Sequence, residues 1–584
     1  MIFPKHFILL CTGIFSTASA AAVVKKHTSS TAASSVPSGA PTVTVKNGSY
    51  YGVHNPYYNQ DFFLGMPYTQ PPIDELRFQL PQSLNTSWTG WKNATEYSPE
   101  CIGYGSDTWV LGNIISEDCL TINVVRPSYI PPDTQLPVIF WIHGGGFTDG
   151  GSRDPRYNQS FMVQHSVEID QPIIGVSINY RLSGWGFLWG EEMAKEGLGN
   201  LGLRDQRLAL HWVQENIAAF GGDPSKVTIQ GESAGAASVG VHLVAFGGRN
   251  DSLFRAAITE SGGPTAQAYY ISPSEWEPNY QNITQLANCS SAADTLDCLR
   301  KVPTETLSNI FNSSSVDPSA GVVIDGDLLP ASATALTKNG SFVKVPYLIG
   351  TNFDEGTQFG VQGINTDAEF IASIKSNAPL LNDSVVDIVT ILYPDIPEIG
   401  IPATLHGRPA YNSSWGYQWK RAAAYGGDLY MHTGRRITTR AWAEHGVPAY
   451  SYHFNVLVNG ESVYEGSTHF QEVAFVFDNI QGVGYNTSVA VDPFANEPRT
   501  FDQLASMMSG AWISFVNTLD PNRHALGVDG VNLEGLQWPV YTLPDPKNIV
   551  FNVNVTGNAY IEPDTYRAEA IRYMADNFDT IWGR

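Results

Sequence analysis

Lys226-Val-Thr-Ile-Gln230 runs without a break into Gly231-Glu232-Ser233-Ala234-Gly235, and a stretch of small residues and valine follows. The first five residues read as a short strand, and the stretch beyond Gly235 reads as a tightly packed, buried helix. Between them lies the pattern G-x-S-x-G. Its physics is a sharp strand-to-helix turn that holds a serine hydroxyl in a strained, exposed position. The flanking glycines are required because side chains there would clash as the helix packs against the turn. Alone the pentapeptide is a weak signal, since Gly and Ser are common. The strand before it and the helix after it supply the context that the pattern needs.

Outward from that turn the chain keeps alternating. Leu136–Ile142 is a continuous apolar run with β-branched and aromatic residues, as expected of a strand buried on both faces, and Pro172–Ile178 reads the same way. Leu203–Phe220 has helical apolar spacing and stops at Gly221-Gly222. Val345–Gly350 reads as another buried strand, and Ala449–Val456 alternates like a strand. This order predicts an α/β fold: a large, mainly parallel sheet with helices on both faces. Residues 265–340 and 360–440 look helical or irregular and are placed as insertions capping that sheet. A single domain over residues 41–584 is expected.

A second glycine run, His143-Gly144-Gly145-Gly146-Phe147, follows the Leu136–Ile142 strand. Acyl transfer places negative charge on a former carbonyl oxygen, and preformed backbone N–H donors stabilise it, each by about 3 kcal/mol. Gly145, Gly146 and Ala234 are the expected donors. His143, at the end of a buried strand, reads as structural. A serine hydroxyl also needs a histidine base oriented by a carboxylate, and in such a fold these follow the serine in the order acid, then histidine. Glu355 lies in a loop after the 345–350 strand, with Asp354 as its rival. His469 lies beyond the last strand-like run, but His432, His445 and His453 are nearby and the chain has 13 histidines. The residues alone leave both choices open.

The net charge of −23 over 584 residues argues against a nucleic-acid partner, which would need clustered Lys and Arg. Lys5 and His6, the apolar stretch Phe7–Phe15 and the small residues ending at Ala20 have the layout of a signal peptide over 1–20. The run is too short to span a membrane, so stable membrane insertion is not expected. Residues 21–40 read as a flexible lead-in or a short pro-segment. Cys11 would leave with the leader, and Cys101, Cys119, Cys289 and Cys298 would remain. In an oxidising compartment four cysteines suggest two disulfides with three possible pairings, of which nearest-neighbour pairing closes two short loops. Clustered Cys and His for a structural zinc are absent. N-x-Ser/Thr triplets at Asn47, Asn85, Asn93, Asn158, Asn282, Asn312, Asn382, Asn486 and Asn554 suggest N-glycans.

Taken together, the motifs resemble the type-B carboxylesterase/lipase family, which includes cholinesterases and secreted fungal lipases. In order they are Gly65–Tyr68 with Leu76–Phe78, Ser116–Val124, the HGGGF run, Gly199–Gln206, Phe220–Ile229, the serine turn, Glu260–Gly262, Asp354–Thr357 and the loop around His469. The resemblance implies an α/β-hydrolase fold and a secreted ester hydrolase. It implies Ser233 as nucleophile, Glu355 rather than Asp354 as acid, His469 as base, and oxyanion donors at Gly145, Gly146 and Ala234. It supports disulfides Cys101–Cys119 and Cys289–Cys298 and an ion pair between Arg77 and Glu117. It assigns Ser261 to holding the acid's carboxylate and Glu472 to a supporting role. It implies a small-molecule ester as substrate and neither metal nor organic cofactor. Cys101 and Cys119 enclose a shorter loop than the amphipathic lid of related fungal lipases, so small or soluble esters and weak interfacial activation are expected. The alternatives are a true lipase or sterol esterase and, from another class, a non-catalytic adhesion protein on the same scaffold.

Overall fold

All seven residues of Leu136–Ile142 are buried, because this strand lies mid-sheet with a packed layer on each face. Val138, Phe140 and Ile142 face one apolar cluster, while Ile139 and Trp141 face another. That is the period-two alternation of a strand expressed inside two cores at once. A computed structural model of the chain describes residues 32–33, 35–105, 112–131, 133–265, 271–319, 321–377, 380–487, 490–523 and 536–584. The expected leader over 1–20, with Cys11, and residues 21–31 of the lead-in lie outside the described residues.

The central sheet has eleven strands, numbered here along the chain. They are β1 Val53–Asn55, β2 Gln60–Pro67, β3 Thr121–Pro127, β4 Leu136–Ile142, β5 Ile174–Ile178 and β6 Gly222–Glu232. The rest are β7 Ala256–Glu260, β8 Tyr347–Asn352, β9 Ala449–Phe454, β10 Lys547–Phe551 and β11 Ala559–Pro563. Their spatial order is β11-β10-β9-β8-β7-β6-β4-β5-β3-β2-β1. Pairing is parallel from β10 through β5 and antiparallel at both margins. The expected mainly parallel sheet is present. β6 is longer than the short strand read from Lys226–Gln230, with a register shift between Gly222 and Val227. β9 is buried on both faces rather than alternating, because helices cover both sides of it.

Two layers cover the sheet. On one side lie α2 (Leu201–Asn216), α3 (Ala234–Gly248) and α4 (Thr433–Glu444), whose Leu210, Val241 and Trp442 join the cluster containing Val138. On the other lie α1 (Gln159–Glu168) and α5 (Thr500–Thr518), whose Met162 and Trp512 join the cluster containing Trp141. The helical reading of 203–220 divides into α2 and a 3-10 turn, Ile217–Phe220, that ends at Gly221 with φ 86°. Helices do occupy the two segments read as insertions, and those of 273–311 gather around Phe78 and Trp185. α4 departs from that reading: it lies on the sheet, with the Trp442 indole donating to Val345 O at 2.9 Å.

Both nearest-neighbour disulfides, Cys101–Cys119 and Cys289–Cys298, are formed. Arg77 and Glu117 make a buried two-pronged pair, Nε to Oε2 at 2.7 Å and Nη2 to Oε1 at 2.6 Å. A second charge knot ties α4 to the sheet margin. Asp564 accepts from Arg435 and Arg436, both at 2.7 Å, and from Tyr541 Oη at 2.7 Å. Burial alone would raise the Asp564 carboxyl, but the two guanidiniums hold it well below the usual range. Its stabilisation is therefore present above the ordinary carboxylate pKa and lost only as pH falls through the depressed one. Asp564→Ala leaves Arg435, wholly buried, without its anion. Urea unfolding at neutral pH is expected to show a loss of about 3–5 kcal/mol, against near-parent stability if the knot is immaterial.

Candidate active site

Ser233 stands between the end of β6 and the start of α3 at φ 55°, ψ −122°. A non-glycine residue held there costs about 1–3 kcal/mol and persists only where its surroundings over-determine it. Those surroundings are backbone packed against backbone. A Cβ on Gly231 would lie 2.4 Å from Gly235 C, and one on Gly235 would lie 2.0 Å from Ile142 O. The two glycines let α3 come down on the ends of β6 and β4, and the turn has no other way to run. Ser233 N–H donates to Glu260 O at 3.0 Å, which ties the turn to the end of β7.

The glycine run after β4 lies against this turn. A Cβ on Gly144 would sit 2.8 Å from Glu232 O. Gly145 and Gly146 have φ of 94° and 62°. A side chain on Gly145 would strike Asp149 O at 2.3 Å, whereas space beside Gly146 is open to 3.6 Å. Ala234 opens α3, so its N–H has no carbonyl of the preceding helical turn to bind. His143 is buried, its Nδ1 2.9 Å from Gly144 O and its ring stacked on Tyr180. Burial lowers its pKa to about 4, so it stays neutral within the wall of the site.

Glu355 follows β8 and His469 lies in the connection after β9, so both stand beyond the carboxyl ends of parallel strands, as Ser233 does. His469 Nδ1 is 2.8 Å from Glu355 Oε2, and the other oxygen of Glu355 accepts from Asn352 N–H at 2.8 Å. Asp354, the rival carboxylate, accepts instead from Ser467 N–H at 2.9 Å, and Asp354 N–H donates to Ser467 O at 3.0 Å. It laces the acid-bearing loop to the histidine-bearing loop. The rival histidines are engaged elsewhere: His432 Nδ1 lies 3.1 Å from Thr351 Oγ1, His453 Nδ1 2.9 Å from Glu562 Oε1 and His445 Nδ1 2.8 Å from Ala441 O.

His469 Nε2 has no hydrogen-bond partner among the described residues, so the bond from the Ser233 hydroxyl to the imidazole is not made in this conformation. Free enzymes commonly show this contact long or misaligned. Glu232 Oε1 stands 3.2 Å from Nε2. Glu232, Glu260, Glu355 and Glu472 are all essentially inaccessible to solvent. The role expected for Ser261 needs correction, because its hydroxyl donates to Glu472 Oε1 at 3.0 Å rather than to Glu355. Glu472 also accepts from Asn352 Nδ2 at 2.6 Å. Glu355 is held by a main-chain N–H instead. Sequence reasoning missed Glu232 and Glu260, although Glu232 occupies the first free position of G-x-S-x-G. No local periodicity reveals that four acids converge under one imidazole.

Burial pushes Glu232 well above the usual carboxylate range; the His469 charge pulls it back, and Glu472, Glu355 and Glu260 push it further. Burial alone would lower His469, but Glu232 and Glu355 outweigh it and hold the imidazole up, at about 9. Glu260 is raised to about 8 and Glu472 to about 7, burial leading in both.

With this geometry established, three comparisons bear on it. A model of the carboxylesterase family matches residues 39–568. The chain belongs to that family. Secreted lipase 1 of Botryotinia fuckeliana (strain B05.10) is 34% identical over 581 residues, covering 93% of this chain and 94% of its own. Lipase 2 of Geotrichum candidum is 34% identical over 569 residues, covering 89% and 92%. The crystal structure of Aspergillus niger EstA superposes with a TM-score of 0.75 at 29% identity, over 92% of this chain and 98% of that one. The fold is therefore an α/β-hydrolase fold, and this carboxylesterase-family member is a carboxylic ester hydrolase.

The acid cluster bears on the pH dependence of this ester hydrolase. An imidazole acts as a base only when deprotonated, and an anion beside it raises the pH at which that occurs. Glu232→Gln removes the carboxyl that, when ionised, raises the imidazole most, so the acid limb of kcat/KM should move to lower pH by about one unit or more. An acid limb that stays in place in a pH–rate profile would show that Glu232 does not set the charge of His469.

Proposed function

We propose that the protein is a secreted serine carboxylesterase working through an acyl-enzyme, with Ser233 as nucleophile, His469 as base and Glu355 orienting the imidazole. The observation that carries this reading is the 2.8 Å bond from His469 to Glu355, with Nε2 turned to Glu232 of the strained serine turn. Ser233 Oγ bonds to the ester carbonyl carbon while its proton passes to Nε2. The carbonyl electron pair moves onto oxygen, which the N–H groups of Gly145, Gly146 and Ala234 receive. Collapse breaks the bond to the alcohol, which leaves with the proton from Nε2. Water then repeats both steps on the acyl-enzyme and releases the acid.

Several observations support the finer parts of this reading. The sheet takes strands from Val53 to Pro563, which favours one domain over 41–584. The 1–20 layout, two disulfides and a relative named a secreted lipase favour an extracellular protein with an N-terminal leader. Asn85, Asn93, Asn312, Asn382, Asn486 and Asn554 are exposed, as N-glycan acceptors must be. Among the described residues no helix is long and apolar enough to cross a membrane. Only 18 positions separate Cys101 from Cys119, and part of that loop, 106–111, lies outside the described residues. Such a short loop favours small or soluble esters. The second reading, a true lipase, is favoured by the names of the relatives.

Ser233→Ala should abolish both ester hydrolysis and covalent capture by a fluorophosphonate while leaving the melting temperature near that of the parent. Undiminished hydrolysis in this variant would end the proposal. Across a series of nitrophenyl esters, kcat/KM should peak at short acyl chains, with a smooth rate through the solubility limit. A sharp rate increase beyond that limit would favour the lipase.

A further inference from the structure

The residue directly after His469 is Phe470, and its φ is 75°. This left-handed region suits glycine and is disfavoured for a bulky aromatic side chain, so something around Phe470 has to hold it there. One face of the problem is solved by packing, since the ring lies against the apolar cluster that contains Trp141 and Phe477. The other is solved by a cation: the Arg156 guanidinium carbon stands 4.8 Å from the centre of the Phe470 ring.

Arg156 is itself rigidly mounted. Asp154 accepts from Arg156 Nε at 3.0 Å, from Nη2 at 2.6 Å and from the Arg156 main-chain N–H at 2.9 Å. Both residues are buried. The turn Pro155–Tyr157 that carries Arg156 is anchored by Tyr157, whose hydroxyl donates to Gly151 O at 3.0 Å and whose ring packs on Trp141. The Asn479 amide donates to Arg156 O at 3.3 Å. Arg156 also belongs to the connection from β4 to α1, the same segment that carries Gly145 and Gly146.

We propose that Arg156 and Phe470 form a clamp that fixes the backbone turn after His469 and so aims its imidazole, which makes both of them positioning residues for the hydrolysis. The proposal rests on the reading of His469 as the base. The bond to Glu355 fixes one nitrogen of the ring, but the direction of Nε2 also depends on where the His469 backbone stands. His469 lies outside any helix or strand, so neighbouring side chains must supply that constraint. A misplacement of about 1 Å at reacting groups costs on the order of a hundredfold in rate. The clamp links the loop bearing the base to the segment bearing the N–H donors.

The test is a series at position 470 that separates the ring from the backbone. Phe470→Tyr keeps both and should stay within about twofold of the parent in kcat. Phe470→Ala loses the ring yet keeps the backbone penalty, so the turn relaxes and kcat should fall by about tenfold or more at unchanged KM. Phe470→Gly also loses the ring but accepts φ 75° freely, and its kcat should lie between the two. Arg156→Lys, which keeps the charge and loses the planar face, should lower kcat in the parent and have no further effect in Phe470→Gly. A role in stability alone predicts that activity tracks melting temperature, with glycine no better than alanine. That order, or parent kcat in Phe470→Ala, would overturn the clamp; the Arg156→Lys cycle decides the matter if the alanine variant does not fold. His469→Ala serves as the control. Parent-level hydrolysis there refutes the base itself, whereas an inactive His469→Ala beside a flat series at 470 refutes only the clamp.

Discussion

Backbone meeting backbone at the ends of β6 and β4 is the constraint from which the site follows. Gly231, Gly235 and Gly144 leave no room for a methyl group, so α3 seats directly on the sheet and Ser233 is forced into a conformation that it would not otherwise adopt. The strain is local, but its support is the whole parallel sheet. Seven strands run the same way from β10 to β5, and their carboxyl ends define one edge at which loops from β4, β6, β7, β8 and β9 meet. Gathering functional groups at that edge is a general property of parallel sheets flanked by helices.

What gathers there is mostly acid. Glu232, Glu260, Glu355 and Glu472 occupy a space without solvent, and the neutralising groups are few: one imidazole and a set of amide, indole and hydroxyl donors. Gln230 and Trp512 donate to Glu260 at 2.7 and 2.8 Å, and Ser261 and Asn352 donate to Glu472. Burial first, and then repulsion between neighbouring carboxylates, pushes three of the four upward. The imidazole consequently stands in the field of whichever of these acids is ionised. That field favours the imidazolium over the neutral ring.

Holding His469 in that field falls to loops. Asp354 laces its own loop to Ser467 through its carboxylate and its main-chain N–H, Thr357 Oγ1 donates to Glu465 O, and Asn352 Nδ2 donates to Thr468 O. Phe359 stands edge-on to the imidazole at 4.9 Å. The irregular segment that bears His469 is thus cross-tied at nearly every residue. Its order derives from side chains contributed by distant parts of the chain, not from its own hydrogen-bonded periodicity.

The sequence by itself determined which segments are strands buried on both faces, where the serine turn lies and which glycines must flank it. Those are local properties: apolar periodicity, β-branched composition and the steric limits of a few adjacent residues act over distances that the chain order preserves. Through the resemblance it also marked Glu355, His469, both disulfides and the Arg77–Glu117 pair. Only the tertiary structure decided that Ser261 serves Glu472, that Glu232 stands against the imidazole, that α4 covers the sheet instead of capping it, and that Arg156 lies on the ring of Phe470. Those relations join residues from 97 to more than 300 positions apart. Electrostatic and packing energies depend on separation in space, and chain order carries no record of that separation until the sheet has closed it.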